Sequence, residues 1–424
     1  MGRRGLGIRR LTAAGRRVAL ALVGAAVAVA AVLAGCASGS KPGELGVTAF
    51  SPAALLPPSG PPKVAILVPL SSQGAPGVIA RNLKQAAELA VFERDSRNLE
   101  LMIKDDKGTP EGAKAAAEEA ISRGASLLLG PLYAKSVAAV APVARKAGVP
   151  VVAFSSDRQV AGNGVYLLSF QPEPEVGRIV SFAAMRGKLR YAALIPHDSF
   201  GKLVEPVFRD AVARNGGTVV ALETYPANAN ALLKPLRKIS ADIAAAEAAN
   251  QPIEALFMPG GQDYLELLGR LLPIAKINTR KVQVVGTGGM DYPNAGRDAA
   301  LVGAWYPGPD PSGWSEFAQK FAKTYQAAAP RIAGLAFDAT SMAIALAGDP
   351  ARYSAAALTR ANGFSGIDGA YRLRADGTTD RTLAILEVQK YGPTVIEPAP
   401  PLGAPPKATS ATVSGGFNLF KVMQ

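Results

Sequence analysis

One histidine and one cysteine limit the chemistry open to this 424-residue chain. A structural or catalytic zinc site draws on several nitrogen and sulfur ligands. His197 and Cys36 cannot supply them. A Ser-His-Asp triad could use only His197, and Asp198 is its immediate neighbour, badly placed to orient the ring. Ser199-Phe200-Gly201-Lys202 fits the S-x-x-K pattern of acyl-transfer enzymes, but neither S-D-N nor K-T-G accompanies it. The simpler reading is a strand-to-helix cap followed by a solvated lysine. Gly286-Thr287-Gly288-Gly289 fails the G-x-G-x-x-G pattern because position 291 is Asp, and no phosphate-loop lysine motif is present. The residues therefore predict a binding protein without a cofactor or catalytic metal, and not an enzyme.

The elements that would position any site are read from hydrophobic periodicity. Apolar runs at 64–70, 99–105, 126–132 and 149–154 alternate with amphipathic segments at 75–94, 110–124 and 135–147. Thr109-Pro110 is a good helix start, with Thr as N-cap and Pro in the first turn. The pattern restarts with strands at 191–196, 218–223, 253–258 and 281–286, separated by helices at 200–215, 229–249 and 263–273. Near-continuous apolar strands joined by helices predict parallel sheets covered on both faces. Two such series of similar length predict an α/β chain of two similar, hinged lobes, each a doubly wound, mostly parallel sheet. Helices follow near 313–328, 333–348 and 351–361, then a hairpin of 369–373 with 383–389 around Ala375-Asp376-Gly377. We assign 63–175 with 305–350 to lobe one and 176–304 with 351–390 to lobe two. Residues 391–424, rich in Pro and Ser, read as a largely disordered tail.

The amino terminus is an address. Residues 1–17 hold six arginines and no acid, residues 18–33 are an uncharged apolar run, and small residues follow. This is the order of a secretory signal over 1–35, and the run falls short of the ~20 residues that span a bilayer. Removing those six arginines lowers the net charge from +13 to +7. The remaining charges are interspersed, without the clustered basic residues a nucleic acid would require. Leu33-Ala34-Gly35-Cys36 places the lone cysteine where lipidation would anchor the chain to a membrane. Residues 36–62 read as a flexible tether.

In open α/β sheets, ligands bind beyond the carboxyl ends of the strands. That rule selects Ser71, Ser72, Gln73, Tyr133, Ser136, Ser155, Ser156 and Asp157 in lobe one. In lobe two it selects His197, Ser199, Phe200, Gly261, Gln262, Tyr264 and Asp291. Each has a plain alternative: Ser155-Ser156-Asp157 as a turn or cap, Gly260-Gly261 as a turn, Asp291 as a surface residue, Tyr133 or Tyr264 as interface packing.

Several segments resemble a known family. Residues 63–70 followed by Ser71-Ser72-Gln73-Gly74, then Leu128-Leu129-Gly130-Pro131-Leu132, Ala147-Gly148-Val149-Pro150 and Ala336-Phe337-Asp338-Ala339, resemble in order and spacing the type I periplasmic binding proteins of the leucine-binding kind. The resemblance covers about 63–390. Leu168-Ser169-Phe170-Gln171-Pro172-Glu173-Pro174-Glu175 is similar to the binding-protein-like domain of outer-membrane lipoproteins that activate penicillin-binding proteins. The helical-repeat domain of those activators is missing from this chain. Amino-acid binders of the family place an acid after the Gly-Gly turn to hold the ligand ammonium. Leu265 occupies that place here, with Glu266 next, and Asp157-Arg158 replaces a small-residue loop. The resemblance implies an envelope lipoprotein that stimulates a class A peptidoglycan synthase by protein contact and possesses a cleft able to sense a wall fragment. Ala37 after the cysteine implies the outer membrane in a Gram-negative host. The alternative is the solute-binding lipoprotein of an ABC permease for an amino acid or other small polar ligand.

Overall fold

The computed structural model describes residues 60–94, 98–226, 231–292 and 294–403. The secretory signal, the tether up to residue 59, the Cys36 anchor and the tail from residue 404 lie outside the described residues.

The first sheet has the order β2-β1-β3-β4-β5 and is parallel throughout. Its strands are β1 (Lys63–Val68), β2 (Glu100–Asp105), β3 (Ala125–Leu129), β4 (Val151–Ala153) and β5 (Val165–Leu167). Helices α1 (Ala75–Glu93), α2 (Pro110–Ser122) and α3 (Ala134–Ala147) connect them. Strand β1 is apolar on both sides because both faces are covered: Val64, Ile66 and Val68 enter one core, Ala65 and Leu67 the other. The expected helix start is present, with the Thr109 hydroxyl accepting from the Gly112 N–H at 3.0 Å. Helix α3 stops at Gly148, which takes a left-handed conformation at φ 68°.

The second sheet has the order β15-β14-β10-β9-β8-β6-β7. Its parallel members are β6 (Arg190–Pro196), β7 (Thr218–Tyr225), β8 (Ala255–Phe257), β9 (Gln283–Val285) and β10 (Trp305–Gly308). Two antiparallel strands, β14 (Ala384–Glu387) and β15 (Thr394–Glu397), extend it. Helices α4 (Pro172–Met185), α5 (Ser199–Arg214), α6 (Leu233–Ala248) and α7 (Gln262–Ile274) cover its faces. One face is centred on Phe208, stacked on Phe257 at 4.2 Å with Tyr191 edge-on.

The remaining elements return to the first lobe. Helices α8 (Pro311–Tyr325), α9 (Ala333–Leu346) and α10 (Ala355–Leu358) and the small sheet β11 (Phe364–Gly366), β12 (Gly369–Leu373) and β13 (Thr379–Arg381) contribute Phe317, Phe321, Leu335, Leu358, Phe364, Tyr371 and Leu373 to its core. Helix α9 is buried almost all round and lies against α1.

Three expectations are corrected. Residues 305–308 belong to the second sheet, and residues 351–381 pack on the first lobe, the reverse of the division expected from sequence. The hairpin partner of β12 is β13, while residues 384–387 pair with β10. The turn between β12 and β13 docks on β5: the Leu167 N–H donates to the Gly377 carbonyl at 2.8 Å, and the Thr379 hydroxyl donates to the Leu167 carbonyl at 2.5 Å. A Cβ on Gly377 would stand 2.2 Å from the Gly162 nitrogen, so only glycine permits this approach. Residues 391–403 are not part of a disordered tail, since β15 pairs with β14.

The chain therefore crosses between lobes three times: between β5 and α4, between β10 and α8, and between β13 and β14.

Candidate functional site

All three crossings border one cavity of about 380 Å³. Phe170 and Pro172 come from the first crossing, Gly308 and Pro309 from the second, and Leu383 from the third. Lobe two adds Phe200 at the start of α5, Gly260 and Gly261 between β8 and α7, and the turn Thr287–Asp291 after β9. Lobe one adds Arg331, just before α9. A concave, largely apolar space with a few convergent charges is the usual form of a small-molecule site.

Glycines let the walls approach. A Cβ on Gly289 would lie 1.8 Å from the Gly260 carbonyl oxygen, so the two loops touch only because residue 289 has no side chain. The Gly288 N–H donates to Glu175 Oε2 at 2.9 Å. Burial pushes the Glu175 carboxyl up to about 7, against the opposing pull of the Gly288 N–H and the more distant Arg381.

Arg331 joins the lobes. Its guanidinium lies over the Trp314 ring at 4.4 Å, 2.9 Å from Asp368 Oδ1 in lobe one and 3.8 Å from Asp291 Oδ2 in lobe two. Asp291 also accepts from the Tyr306 hydroxyl at 3.4 Å. Behind this pair is a second, more buried one. Arg381 sits 3.7 Å from Asp338, whose other oxygen accepts from the Ile367 N–H at 2.8 Å. Burial raises Asp338 to about 7 despite Arg381, and raises Asp368 despite Arg331 and Arg381.

Of the residues expected from sequence, Phe200, Gly261 and Asp291 line this cavity. The others have different positions. Ser71 is exposed, and its N–H donates to Asp105 Oδ1 at 3.3 Å. Ser72 donates to the Lys107 carbonyl at 3.4 Å, and Gln73 is exposed. Tyr133 is half-buried ahead of α3, and Ser136 is fully buried within that helix. Ser155 accepts from the Asp157 N–H at 3.2 Å and Asp157 from the Gln159 N–H at 3.0 Å, so this segment is a turn and cap, while Ser156 is exposed. His197 and Ser199 are exposed, and Asp198 caps α5 through the Gly201 N–H at 2.8 Å. Gln262 bonds Glu266 at 2.9 Å, and Tyr264 sits edge-on to Tyr225. Leu265 is fully buried in the second core, and neither it nor Glu266 lines the cavity.

Sequence reasoning missed Phe170, Glu175, Leu383 and Arg331. Phe170 and Glu175 sit in the segment quoted for its family resemblance. Arg331 carries one local clue, a cation just before a largely apolar helix whose only charged residue is Asp338. Among the described residues no cluster of three or more His, Cys, Asp or Glu could hold a metal, and no helix is long and apolar enough to cross a membrane.

The comparisons with known proteins fit this architecture. A family model described as periplasmic binding protein matches residues 61–393. The chain belongs to that family. A structure from Rhodospirillum rubrum, described as a proposed branched-chain amino acid ABC transporter, superposes with TM-score 0.70 at 18% identity, covering 79% of this chain and all of that one. An R. palustris solute-binding protein in complex with benzoate gives 0.55 at 18% identity over 81% and 98%. A substrate-binding protein from Desulfitobacterium hafniense in complex with Leu gives 0.57 at 17% identity over 79% and 99%. At these identities the likeness is one of fold: the two-lobed, type I architecture. Among curated sequences, an uncharacterised protein of Rickettsia prowazekii (strain Madrid E) is 22% identical over 179 residues, 42% of this chain and 47% of that protein. The match spans about half the length of that relative. The family implies an envelope location.

Proposed function

We propose that this periplasmic binding protein is a non-catalytic solute receptor that closes over a small molecule between its lobes and presents it to an ABC permease. The observation that carries this reading is the cavity at the three crossings, because any ligand there touches both lobes and the hinge at once. A ligand that favours the closed state shifts the equilibrium by its differential affinity for the two states. Arg331, held in lobe one and reaching Asp291 of lobe two, is the contact that closure would form and opening would break.

The competing reading was contact with a peptidoglycan synthase, suggested by residues 168–175. In the fold that segment forms the first crossing, starts α4 with Pro172 and two acids in its first turn, and supplies Glu175 to the cavity, which accounts for its composition without a synthase. The named structural neighbours also favour the transport reading. Lipidation of Cys36 would hold the receptor at a membrane surface, and the outer-membrane placement is replaced in this reading by proximity to a permease.

A thermal-shift screen of the purified chain against amino acids, amines, aromatic carboxylates and soluble muropeptides tests the proposal. A ligand at a hundred times its dissociation constant stabilises the folded state by about 2.7 kcal/mol. A clear shift with one small solute is the expected result. Silence across all solutes, together with capture of the chain by a class A synthase, would overturn it.

A further inference from the structure

We propose that the cavity takes a small ligand with a ring-sized apolar body and a protonated amine, the body held between Phe170 and Phe200 and the amine by Glu175 and Asp291. This inference rests on the solute-receptor reading and adds the ligand's chemical class. Two aromatic rings, Leu383 and three prolines (Pro172, Pro307, Pro309) make the walls apolar. The two carboxylates bracket one turn: Glu175 accepts the Gly288 N–H, and the Asp291 N–H donates to the Gly288 carbonyl at 3.0 Å. Among the described residues the one cation lining the cavity, Arg331, is already within reach of two carboxylates, Asp368 and Asp291. A ligand carboxylate would have to compete with both. A ligand ammonium meets Glu175 with no cation in ion-pair range and Asp291 with one at 3.8 Å. The charge balance of the cavity thus favours a cation. It also separates this site from a leucine-type one, where the ligand carries its own carboxylate.

The charged groups around Glu175 are few. Arg381 acts on it from lobe one, and Asp291 and Arg331 share its cavity. On its own helix, Glu173 is paired with Arg158 at 3.1 Å, and Arg178 turns to the Leu383 and Pro398 carbonyls. An ammonium placed against Glu175 favours its ionised form. Since that carboxyl titrates at about 7, amine binding near neutral pH should release a fraction of a proton.

The test is calorimetric titration of the purified chain with 2-phenylethylamine, benzoate and L-leucine, each in two buffers of different ionisation enthalpy at about pH 7. We expect 2-phenylethylamine to bind at least about tenfold more tightly than the other two, a difference worth one full charge contact, and with net proton release. Glu175→Gln should abolish the proton release and weaken the amine about tenfold, and Asp291→Asn should weaken it with release retained. Glu175→Asp, which keeps the charge, should recover part of both and serves as the control for folding. Tighter binding of benzoate or L-leucine would overturn the amine assignment while leaving the receptor reading intact. Amine binding with unchanged proton release in Glu175→Gln would overturn the site. Failure of all three probes, in a sample that also gives no shift in the solute screen, would overturn both.

Discussion

Replacing Glu175 by Gln, without any ligand, should make the protein more resistant to unfolding at alkaline pH. Gln keeps an oxygen for the Gly288 N–H and removes the charge that burial disfavours. The folded-state value of about 7 lies above the ordinary 4.5. Between those values the native state holds more protons than the unfolded one, so stability falls as pH rises through this window. The group's effect is small below the lower value and complete above the upper one. A full shift corresponds to about 3 kcal/mol, and partial access to water reduces the expected loss to about 2 kcal/mol between about pH 5 and pH 8. Chemical denaturation of both proteins across that range is the assay. Asp338 and Asp368 titrate in both proteins and cancel in the difference. The two stabilities should nearly coincide at the acid end and diverge in favour of Glu175→Gln above neutrality. Parallel profiles, or a variant less stable at the alkaline end, would refute the claim that this carboxyl is buried against its ionised form.

Gly289→Ala forces a Cβ to within 1.8 Å of the Gly260 carbonyl oxygen, and backbone cannot yield cheaply there. It should cost about 1–3 kcal/mol in denaturant unfolding and abolish any ligand-induced thermal shift by parting the two loops; a wild-type response would show that the loops are not in contact. Arg331→Met removes the cation beside Asp368, which is fully buried. Left with only the pull of Arg381, that carboxylate should cost about 3 kcal/mol near neutral pH, and adding Asp368→Asn should recover much of that loss. Equal stability of the single and double variants would rule out the pair as the source.

Much of the fold was legible because its causes are local. Apolar runs such as 64–68 and 191–195 mark strands buried on both faces, and Thr109-Pro110 and Gly148 mark helix ends through their own backbone preferences. The βα alternation then leaves little choice but parallel sheets. The error lay in dividing the late segments. Residues 305–308 and 384–387 are short, and nothing in their pattern says which sheet they complete. Only pairing with β9 and with each other places them in the second lobe.

The candidate site was legible only in part, for the same physical reason. Phe200, Gly261 and Asp291 follow strand ends, so a topological rule could find them. The lobe-one residues chosen by that rule do not line the cavity, which lies instead where the chain crosses between lobes. Phe170, Pro309, Leu383 and Arg331 are distant in sequence and carry no shared local pattern. The sequence by itself determined the two-lobed architecture and the scarcity of catalytic side chains, because composition and periodicity are properties of the chain. The tertiary structure alone decided where the cavity lies and which charges face it, because burial and the pairing of Arg331 with Asp368 and Asp291 exist only once the three crossings are brought together.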